Sequence, residues 1–111
     1  MFGEQLPSVS ASDVPAGAFL LDVREHDEWA AGHAPDAVHV PMSEIPARLA
    51  EVPQDGDVVV VCRVGGRSAR VVAYLKGNGY ANVFNLDGGM QAWDAVGKPV
   101  VSTSDAPGIV I

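Results

Sequence analysis

The sequence predicts an α/β fold with a mainly parallel sheet covered by helices, and three observations carry that prediction. Short apolar runs alternate with segments of helical spacing or turn residues. One run, Val58-Val59-Val60-Val61, is β-branched and continuous rather than alternating, as in a central strand buried on both faces. Gly and Pro number 12 and 8 among 111 residues, so short elements joined by tight turns are expected rather than a few long helices.

The clearest strands are Phe19–Asp22, 38–40, 58–62 and 83–86, with a weaker signal around Ser8–Ser10. Between the first two, His26–Ala31 reads as a short helix closed by Gly32. Ser43 is placed to cap a helix running to about Val52, with Pro46 tolerated in its first turn. After Cys62 comes a Gly-rich turn, Arg63-Val64-Gly65-Gly66-Arg67, and then a helix over 68–76. That helix sets Val71, Val72 and Leu75 on one side, and Gly77 with Asn78-Gly79 supplies its stop. Gly88-Gly89 opens a last helix through Trp93 to about Val96. The remaining stretch, 99–111, reads as a tail, either an added edge strand or a disordered end.

The length suits one domain, 1–111, with its core over about 8–99. Hydrophobic residues at 48% against 19% charged argue against disorder. Seven Lys and Arg face 14 Asp and Glu, and a net charge of −7 would repel nucleic acid or an anionic membrane over most of the surface. The longest apolar stretches, 16–21 and 58–62, fall far short of the ~20 residues of a membrane span. The first ten residues carry Glu4 and no Lys or Arg, so no secretory signal is expected there. A single cysteine permits no internal disulfide and fits a reducing, cytoplasmic compartment.

The informative segment is the strand, the turn that starts at Cys62 and the helix after it. Parallel sheets bind ligands beyond the carboxyl ends of their strands, where Cys62 falls. Gly65 and Gly66 let the backbone curl so that successive N–H groups point into one concavity. The helix starting near Arg67 and Ser68 adds unpaired N–H groups and the positive end of its dipole. Arg63, Arg67 and Arg70 follow within nine residues of the thiol. Such a cup favours the thiolate, the nucleophilic form of cysteine. A lone Cys after four valines would otherwise read as an inert core residue. An inert residue has no need of Gly-Gly-Arg-Ser beside it.

Four segments in order carry a resemblance: Leu-Leu-Asp-Val-Arg-Glu (20–25), Gly-His-Ala-Pro (32–35), Val-Cys-Arg-Val-Gly-Gly-Arg-Ser-Ala (61–69) and Asn-Leu-Asp-Gly-Gly-Met-Gln-Ala-Trp (85–93). The chain resembles the single-domain rhodanese-like sulfurtransferases. The resemblance implies a five-stranded parallel sheet with helices on both faces. It implies that Cys62 is catalytic and carries sulfane sulfur as a persulfide. It also implies that Arg63, Val64, Gly65, Gly66, Arg67 and Ser68 bind an anionic donor such as thiosulfate, and that Asp22 and Arg24 brace the neighbouring loops. The implied acceptor is cyanide in vitro and a thiol or a partner protein in the cell, with no metal or organic cofactor. With no second cysteine to resolve it, the persulfide must discharge to another molecule.

Departures from the family pattern are Ala34 and Asp36, in place of the usual Ile and Gly, and the branched Val64 in the loop. His26, His33 and His39 look scattered and stand at no metal-ligand spacing with Cys62. Trp29 and Trp93 read as packing residues. Two rival functions remain open. Dual-specificity phosphatases of the same fold carry Cys-x5-Arg, whereas Cys62 to Arg67 is Cys-x4-Arg, a smaller cup suited to one sulfur. A non-catalytic docking module is the other.

Overall fold

The computed structural model describes residues 6–104 and 106–111; the first residues of the chain, on which the leader expectation partly rests, lie outside them. Five strands, β1 (Ser8–Ser10), β2 (Phe19–Asp22), β3 (Val38–His39), β4 (Val58–Val61) and β5 (Val83–Asp87), form one sheet in the order β1-β5-β4-β2-β3. Every pairing is parallel. Three helices accompany them: α1 (His26–Ala31), α2 (Gly66–Gly77) and α3 (Gly89–Ala95). The α/β class, the five parallel strands and the weakly signalled β1 are all as the sequence predicts.

The valine run takes the central place because both its faces are covered. Val58, Val60 and Cys62 pack with Val71, Val72 and Leu75 of α2. Val59 and Val61 turn the other way, to Met90 and Trp93 of α3. Alternation at period two thus sends successive valines into two separate cores. Each of the four is no more than 2% exposed.

The helix expected from Ser43 to Val52 does not form. The chain makes two short 3-10 turns instead, Met42–Glu44 and Leu49–Glu51, and Ser43 caps neither of them. An i→i−4 bond does span Pro46, from the Arg48 N–H to Glu44 O at 3.0 Å, but Arg48 itself leaves helical geometry at φ −114° and ψ 22°, and the segment breaks there. Tyr80 then secures the segment, its hydroxyl lying 3.1 and 2.9 Å from the Leu49 and Val52 carbonyls and donating to one of them at a time.

The tail is neither of the alternatives the sequence suggested. It does not extend the sheet, and its described residues fold back over α1. The His33 N–H donates to Val101 O at 2.8 Å, the Ile109 N–H to Ala31 O at 2.9 Å, and Val100 and Val110 pack on the α3-side core. Gly32 permits this approach, because a Cβ there would lie 2.1 Å from the Ile109 carbonyl oxygen.

Asp22 and Arg24 form a buried pair at the end of β2, each 0% exposed. Arg24 Nε and Nη2 donate to the Asp22 carboxylate at 3.0 and 2.8 Å, and Nη2 also reaches the Gly32 carbonyl at 2.7 Å. The Arg24 carbonyl accepts from His39 Nε2 at 2.7 Å. One guanidinium therefore ties the ends of β2 and α1, and its own carbonyl ties β3. Removing one member of a buried ion pair strands the other charge, at a cost of about 3–5 kcal/mol. Asp22→Ala should lose that much stability in urea unfolding; a loss below about 1 kcal/mol, the range of surface pairs, would contradict the bracing role.

Candidate active site

Strand β4 ends at Val61, one residue earlier than its apolar run, so Cys62 opens the turn at the carboxyl end of the sheet. The residue is 1% exposed. Its Sγ accepts the Gly65 N–H at 3.0 Å and the Ser68 hydroxyl at 3.2 Å. Gly65 makes the turn at φ 114°, in the left-handed region where a side chain would be strained. Helix α2 consequently starts at Gly66, two residues before the predicted start. Gly66, Arg67 and Ser68 become its first turn, whose N–H groups have no intrahelical acceptors.

These donors decide the state of the thiol. Burial alone would push Cys62 up. Hydrogen bonds from the Ser68 hydroxyl and from the N–H groups of Ser68, Gly65 and Val64 outweigh burial and hold the thiol below its ordinary range.

The carbonyls of the turn point the other way. Cys62 O accepts the Met90 N–H at 2.8 Å, and Arg63 O accepts the Gln91 N–H at 3.1 Å. The first turn of α3 thus satisfies these two carbonyls, while the Gly65 N–H faces the sulfur. Gly89 makes this contact possible: a Cβ there would meet Cys62 O at 2.4 Å and Arg63 O at 2.6 Å.

The arginines are arranged otherwise than the sequence suggested. Arg67 does not stand free in the cup; its guanidinium clasps Glu28 of α1 through two bonds of 2.7 and 2.9 Å. Arg63 donates from Nε to the Ile111 carbonyl at 3.0 Å. Arg70 lines a separate apolar hollow of about 160 Å³ with Met42, Ile45 and Tyr74. Hydrogen bonds from Ser68 and the backbone, rather than a ring of unpaired cations, dominate at the sulfur. Val64 is 53% exposed and gives the cup an apolar rim. Asp22 and Arg24 make no hydrogen bond to 62–68; they tie the elements around the turn, and the Arg24 charge also helps to lower the Glu28 carboxyl.

Two residues to which the sequence assigns no role also touch this turn. Asn85 of β5 donates Nδ2 to the Gly65 carbonyl at 3.1 Å and takes the Ser68 hydroxyl on Oδ1 at 2.5 Å. Its signal was a polar residue inside the apolar run Val83-Phe84-Asn85-Leu86. Glu28 was hidden by its helical setting, where Oε1 also accepts the Glu25 N–H at 2.9 Å. The histidines, expected to be scattered, gather around Trp29. His33 and His39 stack on the indole at 3.6 and 4.8 Å, and His26 meets His39 edge-on at 5.0 Å. Among the described residues no three His, Cys, Asp or Glu side chains converge as metal ligands would.

A parallel α/β sheet with a cysteine cradled at the mouth of its central strand defines a class of protein, and comparison with known proteins identifies which one. Residues 9–96 match the rhodanese-like domain. The chain is 48% identical over 83 residues to a sulfurtransferase of Allochromatium vinosum, covering 75% of this chain and 78% of that one. It is 39% identical over 79 residues to the thiosulfate sulfurtransferase GlpE of Pseudomonas savastanoi, covering 71% and 74%. The crystal structure of a rhodanese-related protein from Thermoplasma volcanium superposes with a TM-score of 0.80 at 33% identity, covering 86% of this chain and 97% of the other. The chain belongs to the rhodanese-like family.

The Glu28–Arg67 clasp has a pH signature. Arg67 holds the Glu28 carboxyl down from 4.5 to about 2. A carboxylate depressed in the folded state contributes stability that is complete above the unfolded value and is lost as pH falls through the folded one. Glu28→Gln should therefore be less stable than the parent at neutral pH and lose less between pH 4.5 and about 2, measured by urea unfolding at a series of pH values. Parallel stability curves for the two proteins would contradict the clasp.

Proposed function

We propose that the chain is a sulfurtransferase that moves sulfane sulfur from a small anionic donor, such as thiosulfate, through a persulfide on Cys62. The observation that carries this reading is the pair of donors on Sγ, the Gly65 N–H at 3.0 Å and the Ser68 hydroxyl at 3.2 Å. Hydrogen bonds to the sulfur favour its thiolate, the form that attacks. Its relatives' activities support the same chemistry.

The Cys62 thiolate attacks the outer sulfur of the donor. A new S–S bond forms, the donor's S–S bond breaks, and sulfite leaves with the electron pair. The outer persulfide sulfur sits above the N–H groups of the turn, as an anion would. An acceptor nucleophile, cyanide in vitro or a thiol or partner protein in the cell, then attacks that sulfur, and Cys62 departs as the thiolate. The steps need no metal and no organic cofactor. The smallness of the turn favours this over phosphate ester hydrolysis: only four residues separate Cys62 from Arg67, and Arg67 is turned toward Glu28 rather than offered to a phosphoryl group.

Cys62→Ser should abolish thiocyanate formation from thiosulfate and cyanide while keeping the parent far-UV circular dichroism, because a serine hydroxyl forms no persulfide. The parent should leave aryl phosphates intact. Thiocyanate turnover by the folded serine variant, or Cys62-dependent phosphate release by the parent, would overturn the proposal.

A further inference from the structure

The Ser68 hydroxyl has one proton and two acceptors. It is fully buried, with Cys62 Sγ at 3.2 Å and Asn85 Oδ1 at 2.5 Å. A hydroxyl donates to one of them at a time. The orientation of the Asn85 amide is fixed independently, because its Nδ2 donates to the Gly65 carbonyl at 3.1 Å. Reversing the amide would set its oxygen against that carbonyl oxygen. Asn85 therefore presents an acceptor, and not a donor, to Ser68.

We propose that Asn85 is a positioning residue whose amide oxygen competes with the Cys62 sulfur for the Ser68 proton, so that the hydroxyl turns between them as the sulfur gains and loses its charge. The role in turnover rests on the persulfide reading above. In the thiolate the hydroxyl donates to Sγ, and Asn85 Oδ1 gives up its donor. When the sulfur's lone pair becomes the new S–S bond, Sγ is neutral and holds the proton weakly. The hydroxyl then turns to Asn85, so a buried donor is not left unsatisfied. When the acceptor takes the outer sulfur, the bonding pair returns to Sγ and the hydroxyl turns back. The proton stays on the Ser68 oxygen throughout. Asn85 thus supports the neutral forms of Cys62, thiol and persulfide, and Ser68 supports the thiolate.

The competition has a signature that a purely structural asparagine lacks. Losing the Asn85 bond to Gly65 disturbs the turn whether or not Ser68 has been replaced. Losing the competition matters only when the hydroxyl is there. A double-mutant cycle separates the two. Arg63 and Arg67 after the cysteine, and His26, Asp27 and Glu28 of α1, are left unchanged in every member.

The acidity of Cys62 is read as iodoacetamide alkylation rate against pH for the parent, Ser68→Ala, Asn85→Leu and the double variant, each checked for folding by circular dichroism. Asn85→Ser, which withdraws the amide oxygen but keeps a polar residue on β5, decides in place of Asn85→Leu if the latter does not fold. Alkylation needs no sulfur donor, so the result is independent of whether thiosulfate is turned over. Ser68→Ala should make Cys62 less acidic. The effect of the Asn85 change on the acid-dissociation constant should be about two- to tenfold more favourable to the thiolate in the parent background than in the Ser68→Ala background, the range of one net hydrogen bond. An equal effect in both backgrounds, or one less favourable in the parent, would overturn the proposal and leave Asn85 as a brace for Gly65 alone.

Discussion

The backbone of the turn after β4 is divided between two neighbours: the N–H groups of Val64, Gly65 and Ser68 serve the Cys62 sulfur, and the carbonyls of Cys62 and Arg63 face the first turn of α3. Every buried peptide group needs a partner. A turn that aimed its donors at a sulfur with nothing to take its acceptors would close on itself instead. Helix α3 supplies the missing donors through Met90 and Gln91, and only a glycine at position 89 lets it come close enough. The two glycine pairs of the sequence thus serve one purpose from opposite sides. Gly65 bends the donors inward, and Gly89 admits the helix that occupies the carbonyls.

The remaining supports converge on this turn from other elements. Asn85 reaches across from β5 to the Gly65 carbonyl, and Glu28 reaches from α1 to Arg67. The buried pair Asp22–Arg24 sets the end of α1 through the Gly32 carbonyl, so it governs the clasp at one remove. In an acidic chain the guanidinium that opens α2 is already matched by a carboxylate. Stabilisation of charge at the sulfur falls to the Ser68 hydroxyl and to the backbone N–H groups of the turn, and only the latter are fixed dipoles that require no reorganisation when charge appears or disappears.

Much of the fold is legible in the sequence because it obeys simple periodicities. The valine run, the apolar side of α2 and the Gly-Gly openings give the parallel sheet and its coverings directly. The segment around Pro46 departs from its expected helix because the backbone leaves helical geometry at Arg48, a break that neither the cap residue nor the helical spacing announces. The tail is unreadable in principle, since its course depends on the close approach of Ile109 to Gly32, a contact between residues distant in sequence. The same limit applies at the site. Cys62, Gly65, Gly66 and Ser68 are local and can be found from their spacing. The partners that fix them, Asn85 and Glu28, come from other elements, and a charge count near Cys62 overstates the part of Arg67 because its carboxylate lies on α1.

The most direct test is the intact mass of the chain after incubation with thiosulfate. The account predicts a gain of one sulfur, its loss on addition of cyanide or a thiol, and no gain for a Cys62→Ser chain. An unchanged mass for a folded parent whose Cys62 remains alkylatable, or sulfur retained by the serine variant, would contradict it.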